Sequence, residues 1–137
     1  MTLLLLSYLS FSQAQGGQGG PPQITTLKNI SAVTVSPDGR HVYAASSAAV
    51  SWFAQFEALT YGGGVIDGTQ TALEDIALSP DGKHLYVVGG NLSMYHRNAT
   101  TGALTTSVNS TTDGLKDGRS VTVSPDGKYV YVVGFDD

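Results

Sequence analysis

At three places along the chain two large apolar residues bracket a smaller one: Val33-Thr34-Val35, Ile76-Ala77-Leu78 and Val121-Thr122-Val123. A period of two predicts a strand with one apolar face. Each stretch runs into Ser-Pro-Asp-Gly, beginning at Ser36, Ser79 and Ser124. Proline presets φ for the second turn position, Asp tolerates the third, and Gly takes the left-handed conformation that closes a bulged hairpin. Behind the turn come Val42–Ala45, Leu85–Val88 and Val130–Val133, apolar at neighbouring positions. That density predicts a second strand buried on both faces, as in sheets pressed between two others. A third strand is expected at Ala49–Phe53 and at Leu92–Tyr95. In the second copy Asn98–Gly102 reads as a hairpin loop leading to Ala103-Leu104-Thr105. The first copy reaches its own Ala58-Leu59-Thr60 by a shorter connection.

The spacing turns these stretches into an architecture. The Ser-Pro-Asp-Gly cores recur after 43 and then 45 residues, and the Thr of each Ala-Leu-Thr stands 19 residues before the next core (Thr60 to Ser79, Thr105 to Ser124). Four short antiparallel strands per ~45 residues make the blade of a β-propeller. The expected fold class is therefore all-β: about two and a half four-stranded antiparallel blades of an incomplete ring, with repeats near 24–68, 69–112 and 113–137. A closed ring takes about four blades or more. The 137 residues are thus expected to be a fragment, or to close through further blades or other subunits. Open blade faces would leave apolar area wet, which predicts a marginal, self-adhesive monomer.

Ser79–Val88, reading Ser-Pro-Asp-Gly-Lys-His-Leu-Tyr-Val-Val, and His96–Thr105, reading His-Arg-Asn-Ala-Thr-Thr-Gly-Ala-Leu-Thr, resemble a known repeat. It is that of the β-propeller lactonase-like proteins, the 6-phosphogluconolactonase-like, seven-bladed group with Tyr-Val-Thr-Asn-type relatives. The resemblance covers roughly Ile24 to Asp137. It implies a propeller fold, and it implies either hydrolysis of sugar lactones or service as a secreted binding or surface protein. The matching residues are those of turns and strands. No position matches a lactonase catalytic motif residue by residue, so no catalytic role is carried over.

Net charge is −4 and 13% of residues are charged, against a usual ~25%. No Lys/Arg run or basic stripe occurs, which argues against nucleic acid as the main partner. The absence of cysteine removes disulfides, thiolate metal sites and a Cys nucleophile. Met1–Ala14 carries an apolar core, Leu3–Phe11, and a small-x-small ending, Ser12-Gln13-Ala14. It reads as a signal peptide cut after Ala14 and is too short to span a bilayer as a helix. Gln15–Gln23, rich in Gly, Gln and Pro, reads as a linker. A secreted, cell-surface or periplasmic location is therefore expected.

No nucleophile, base or metal constellation stands out, no Gly-x-Ser-x-Gly elbow occurs, and no cofactor or metal is expected. Asp38, Asp81 and Asp126 lack the alternating-acid spacing of a calcium loop and are explained by their turns. His41 and His84 share a repeat position that Tyr129 fills in the third copy, which suggests edge or packing residues. His96, on the third strand beside Arg97, is expected in solvent. The asparagines Asn29, Asn91, Asn98 and Asn109 all sit in Asn-x-Ser/Thr sequons, glycosylation candidates at loops or strand edges. The loops from one blade's outer strand to the next blade's inner strand, Asp67–Glu74 and Thr112–Arg119, should ring the channel mouth, where ligands bind. They carry Asp67, Glu74, Asp113, Lys116, Asp117 and Arg119, and Asp75 directly follows the first of them, adjacent to an inner strand. Asp75 and Arg119 are the chosen ligand-binding candidates, with Arg119 able to clamp a carboxylate or phosphate. The leading functional expectation is an exported propeller acting as a binding scaffold at its channel mouth. The alternative is a lactonase-type hydrolase.

Overall fold

The structure, a computed structural model, describes residues 2–3, 27–47, 49–55, 59–66, 72–110 and 117–135. The expected linker, the expected leader apart from Thr2 and Leu3, and Asp67, Asp113 and Lys116 lie outside these residues. Every element described is a strand, and among the described residues no helix is long and apolar enough to cross a membrane. A short ladder joins β1 (Thr2–Leu3) to β2 (Leu27–Lys28). Blade one follows as an antiparallel sheet in chain order: β3 (Ala32–Val35), β4 (His41–Ala45), β5 (Ala49–Gln55) and β6 (Leu59–Ile66). Blade two repeats it with β7 (Leu73–Leu78), β8 (His84–Gly89), β9 (Leu92–Arg97) and β10 (Leu104–Ser110). A half-blade, β11 (Asp117–Val123) and β12 (Val130–Phe135), completes the order. The first strands lie side by side, β3 against β7 and β7 against β11, as the inner strands of a propeller do.

The Ser-Pro-Asp-Gly turns are identical in build, and the serine is the part that sequence reasoning left unexplained. Gly39, Gly82 and Gly127 take φ of 70°, 69° and 71°, and each donates its N–H to the serine carbonyl at 2.8 Å. The serine hydroxyl donates to the aspartate, at 2.5 Å in Ser36–Asp38 and 2.6 Å in Ser79–Asp81 and Ser124–Asp126. The same oxygen accepts the N–H of the residue that opens the next strand: His41, His84 or Tyr129. Asp Oδ1 also takes the N–H of Arg40, Lys83 or Lys128. These bonds hold all three carboxyls below the usual carboxylate range, the serine hydroxyl contributing most. Each turn is therefore self-sufficient. None of the three aspartates needs a metal to explain it.

Neighbouring residues of the second strand do face opposite blades. All five residues of β4 are buried. Tyr43 and Ala45 join Val50, Trp52, Leu73, Ile76, Leu85, Val87, Tyr95 and Leu104 in the core between blades one and two. Val42 and Ala44 point the other way, with Ile30 and Phe53. Trp52 lies against Gly62 and Gly63 of β6, where a Cβ on either would come within 2.6 Å of the indole; only a residue without a side chain lets the ring lie flat there. The half-blade has the same sequence pattern and the opposite environment. Tyr43 is fully buried, whereas its repeat equivalent Tyr131 is 57% exposed, as are Val133 and Phe135 to a similar degree. On the far side of blade one, Val33 and Val35 are half-exposed. Apolar residues thus stand exposed at both ends of the described array.

Candidate functional site

The blades have two distinct ends. One carries the Ser-Pro-Asp-Gly turns and the Asn98–Gly102 turn; the other carries the starts of the inner strands and the β8–β9 turn. At the second end the structure corrects the sequence reading. Glu74 belongs with Asp75 to strand β7, and Asp117 and Arg119 to strand β11, where loops were expected for all but Asp75. The reason is a β-bulge in each strand. Pairing shifts between Leu73 and Asp75 and again between Gly118 and Ser120, so Glu74 and Arg119 are the extra residues. A bulge interrupts the alternation that marks a strand in sequence while letting the ladder continue. Both residues stand five positions before the serine of their Ser-Pro-Asp-Gly, at equivalent places in adjacent blades.

The bulges aim these two side chains at each other. Arg119 Nη1 donates to Glu74 Oε1 at 3.0 Å, with the arginine side chain half-exposed. Its guanidinium also stands 5.4 Å from the centre of the Phe135 ring. A notch of about 30 Å³ opens here, lined by Ala72, Glu74, Gly89, Gly90, Asp117, Gly118 and Arg119. It has room for one or two water molecules. Asp75, the other chosen candidate, is turned to a different task. Its Oδ2 accepts the Ser120 hydroxyl at 2.7 Å and the Val121 N–H at 3.0 Å, and its Oδ1 takes the Ile76 N–H at 2.9 Å. It ties the inner strand of blade two to that of the half-blade, so Glu74 is the carboxylate that accompanies Arg119.

Among the sequon residues, Asn29 is exposed with φ of 56° between β2 and β3. Asn91 is half-buried in the β8–β9 turn. Asn98 is exposed, and its Oδ1 takes the N–H of Thr100 and Thr101, bracing its own turn. Asn109 lies in β10, the outermost strand of its sheet.

At the first end stands a cluster that sequence reasoning missed. His96 is exposed as expected, but Arg97 is buried, with its side chain 2% exposed. From blade two it reaches into blade one. Nε donates to the Tyr43 hydroxyl at 2.7 Å, Nη1 to the Gly82 carbonyl at 2.9 Å, and Nη2 meets His41 Nδ1 at 2.8 Å and Asp38 Oδ2 at 3.4 Å. Tyr43 passes the chain on, donating to the Gly102 carbonyl at 2.9 Å. His41, expected to be an edge or packing residue, is 1% exposed and accepts from a cation. Its imidazole is thereby neutral at Nδ1. Burial first, and then Arg97, hold its pKa below the usual histidine range. The only sequence signal was a cationic residue next to a turn.

Acid is therefore expected to loosen the contact between blades one and two. A histidine with a depressed folded pKa stabilises fully above its unfolded value and loses that contribution as pH falls through it. The charged groups facing His41 are Arg97, Asp38 and Arg40. The turn aspartates act lower, below the ordinary 3.8. Urea midpoints measured at about pH 7.5 and about pH 5 should fall for the native protein, and that fall should vanish in His41→Gln. An unchanged fall in the variant would assign it elsewhere.

A family model described as lactonase, 7-bladed β-propeller, matches residues 3–113. No protein of curated function matches. A Bacteroides fragilis protein provisionally named a 6-phosphogluconolactonase is 26% identical over 73% of this chain and 30% of its own, with a TM-score of 0.66. A Bacteroides uniformis protein of the same provisional name is 27% identical over 73% and 31%, with a TM-score of 0.67. The periplasmic gluconolactonase of Pseudomonas aeruginosa, at 19% identity, shares the fold over 88% and 40%, with a TM-score of 0.70. The chain thus spans between 30% and 40% of the length of these structures.

Proposed function

The chain belongs to the lactonase family of seven-bladed β-propellers, and from that membership we propose that it contributes to a sugar-lactone hydrolase whose chemistry lies where Glu74 and Arg119 stand. The observation that carries the proposal is their placement on equivalent bulges of neighbouring inner strands, 3.0 Å apart beside a water-sized notch. Bulges recur beside active sites because they re-aim side chains. The family match and the two Bacteroides neighbours support hydrolysis over the binding scaffold expected from sequence. In this reading Glu74 takes a proton from water as the water oxygen adds to the lactone carbonyl carbon. The ring C–O bond then breaks, the leaving oxygen recovers the proton, and a hydroxy acid departs. Arg119 holds the phosphate or carboxylate of the sugar through paired N–H bonds. The notch is large enough for the water alone, so the sugar ring lies over the channel.

Purified protein is expected to open phosphorylated sugar lactones. Glu74→Gln should lower kcat by ~10²–10⁴-fold, and Arg119→Ala should raise KM for phosphorylated lactones more than for neutral ones. Circular dichroism should remain that of the native strands. A folded preparation that opens no lactone, or turnover indifferent to both substitutions, overturns the reading. Export through the Met1–Ala14 leader belongs to the same proposal and rests on the apolar run Leu3–Phe11 and the Ser12-Gln13-Ala14 ending; cleavage there would remove β1 and its short ladder with β2. Among the sequon asparagines whose exposure is described, Asn29 and Asn98 are the exposed ones on an exported chain.

A further inference from the structure

The bulge that carries Glu74 and Arg119 is built a third time, at the head of blade one. The Ser31 N–H donates to the Ala45 carbonyl at 3.1 Å, and Ala32, the next residue, is paired with the same Ala45. Two residues against one define a bulge. Asp75 pairs with Val88 and Ser120 with Val133, the repeat equivalents of Ala45. Ser31 is therefore to blade one what Glu74 and Arg119 are to their own. Burial follows the same alternation in all three. Ile30, Leu73 and Gly118 are buried, and each is flanked by more open residues: Asn29 and Ser31, Ala72 and Glu74, Asp117 and Arg119. Ala72, Glu74, Asp117 and Arg119 line the notch. Since β3 packs beside β7 as β7 packs beside β11, Asn29 and Ser31 continue this line on the side of Glu74 away from Arg119.

Both residues keep polar groups unspent. The Ser31 hydroxyl makes only a long contact, 3.5 Å, with the Ala45 carbonyl. The Asn29 side-chain amide has no hydrogen-bond partner among the described residues. Asn29 is also the only described residue other than glycine with a positive φ, 56°. Asparagine tolerates that conformation better than most residues, and backbones held there gather at ligand sites.

On the hydrolase reading of Glu74 and Arg119, we propose that Asn29 and Ser31 form the hydroxyl-binding end of the same site. Its ligand is a polyhydroxylated sugar lactone lying across three inner strands. Arg119 takes the anionic group, Glu74 faces the carbonyl with its water, and the ring hydroxyls reach Ser31 and Asn29. A primary amide suits that task because its oxygen accepts and its nitrogen donates, and a serine hydroxyl does both. Glu74, Asp75 and Asp117 outnumber Arg119 at this mouth, which favours hydroxyl donors wherever the ligand does not face the arginine. A glycan on Asn29 would cover this end of the site. Of the two exposed sequon asparagines, Asn98 is then the one left to carry a glycan.

The test uses the whole protein with Ser31→Ala and with Asn29→Gly, the latter because glycine keeps the left-handed backbone. Selectivity is read as kcat/KM for gluconolactone over that for δ-valerolactone, whose ring bears no hydroxyls. It should fall ~3–10-fold in either variant, the contribution of one hydrogen bond, and the fall should lie in KM rather than kcat. Binding is read separately by NMR. Gluconate should shift the Asn29 side-chain amide signals more than hexanoate, which has the carboxylate without the hydroxyls. Lactones opened with selectivity intact in both variants overturn the hydroxyl subsite and leave the hydrolase standing. Gluconate seated at Asn29 in a protein that opens no lactone overturns the hydrolase and leaves the subsite standing. Equal shifts for gluconate and hexanoate, or none at Asn29, overturn the subsite whatever the turnover.

Discussion

Replacing Arg97 with alanine is expected to cost the fold about 3–5 kcal/mol, the usual penalty for removing one partner from a buried charged network. Four groups lose their donor at once: the Tyr43 hydroxyl, the Gly82 carbonyl, His41 Nδ1 and Asp38. Three of them lie where water does not readily replace the lost bond, because Tyr43 and His41 are buried and Gly82 sits under the same interface. Asp38 is partly in solvent and adds little. Small domains hold only ~5–15 kcal/mol in total, so the variant should unfold at a far lower urea concentration, or fail to accumulate folded. Arg97→Lys keeps the charge but not the fork that reaches Tyr43 and Gly82 together, and should recover only part of the loss. A change below about 1 kcal/mol in Arg97→Ala would show that the network is not what binds the two blades.

The second large effect is expected at a residue with no side chain. Gly102 closes the β9–β10 turn with φ of 76°, and a Cβ there would collide with the His41 ring. Gly102→Ala therefore meets two costs: the left-handed backbone, ~1–2 kcal/mol for an L-residue, and displacement of an imidazole already held by Arg97. The combined loss should be about 3 kcal/mol or more. Gly39 supplies the control, since it has nearly the same φ, 70°, with nothing within 4 Å of an added Cβ. Gly39→Ala should show the backbone cost alone. Equal urea midpoints for the two variants would refute the collision and leave only strain.

Much of this fold can be read along the chain because its determinants are local. Ser36-Pro37-Asp38-Gly39 and its two copies fix a turn through bonds made within six residues, and the β-branched run behind each turn supplies the strand. The candidate site was harder to read, for two reasons. Glu74 and Arg119 sit on bulges, and a bulge looks like the end of a strand because the apolar alternation stops there. Asp75 was a reasonable choice by position, yet its carboxylate is drawn onto Ser120 and Val121 of a strand 45 residues away. The burial of Arg97 had no local signature beyond a cationic residue next to a turn. Its partners Asp38, His41 and Tyr43 are more than 50 residues distant, and only the stacking of blades brings them together. The half-blade makes the same point in reverse. Val130–Val133 reads as well as Leu85–Val88, but an identical pattern is buried in one and wet in the other because burial belongs to the neighbour.

Trp52, flattened on its glycines, is the only indole in the chain, and it belongs to blade one. Its emission colour therefore reports on the core that blade one shares with blade two, whereas the strand signal in circular dichroism averages over the array. In a stack where each unit leans only on the next, comparing the two signals during a melt distinguishes a molecule that comes apart as a whole from one that peels from an end. The protein carries its own optical label for how melting spreads.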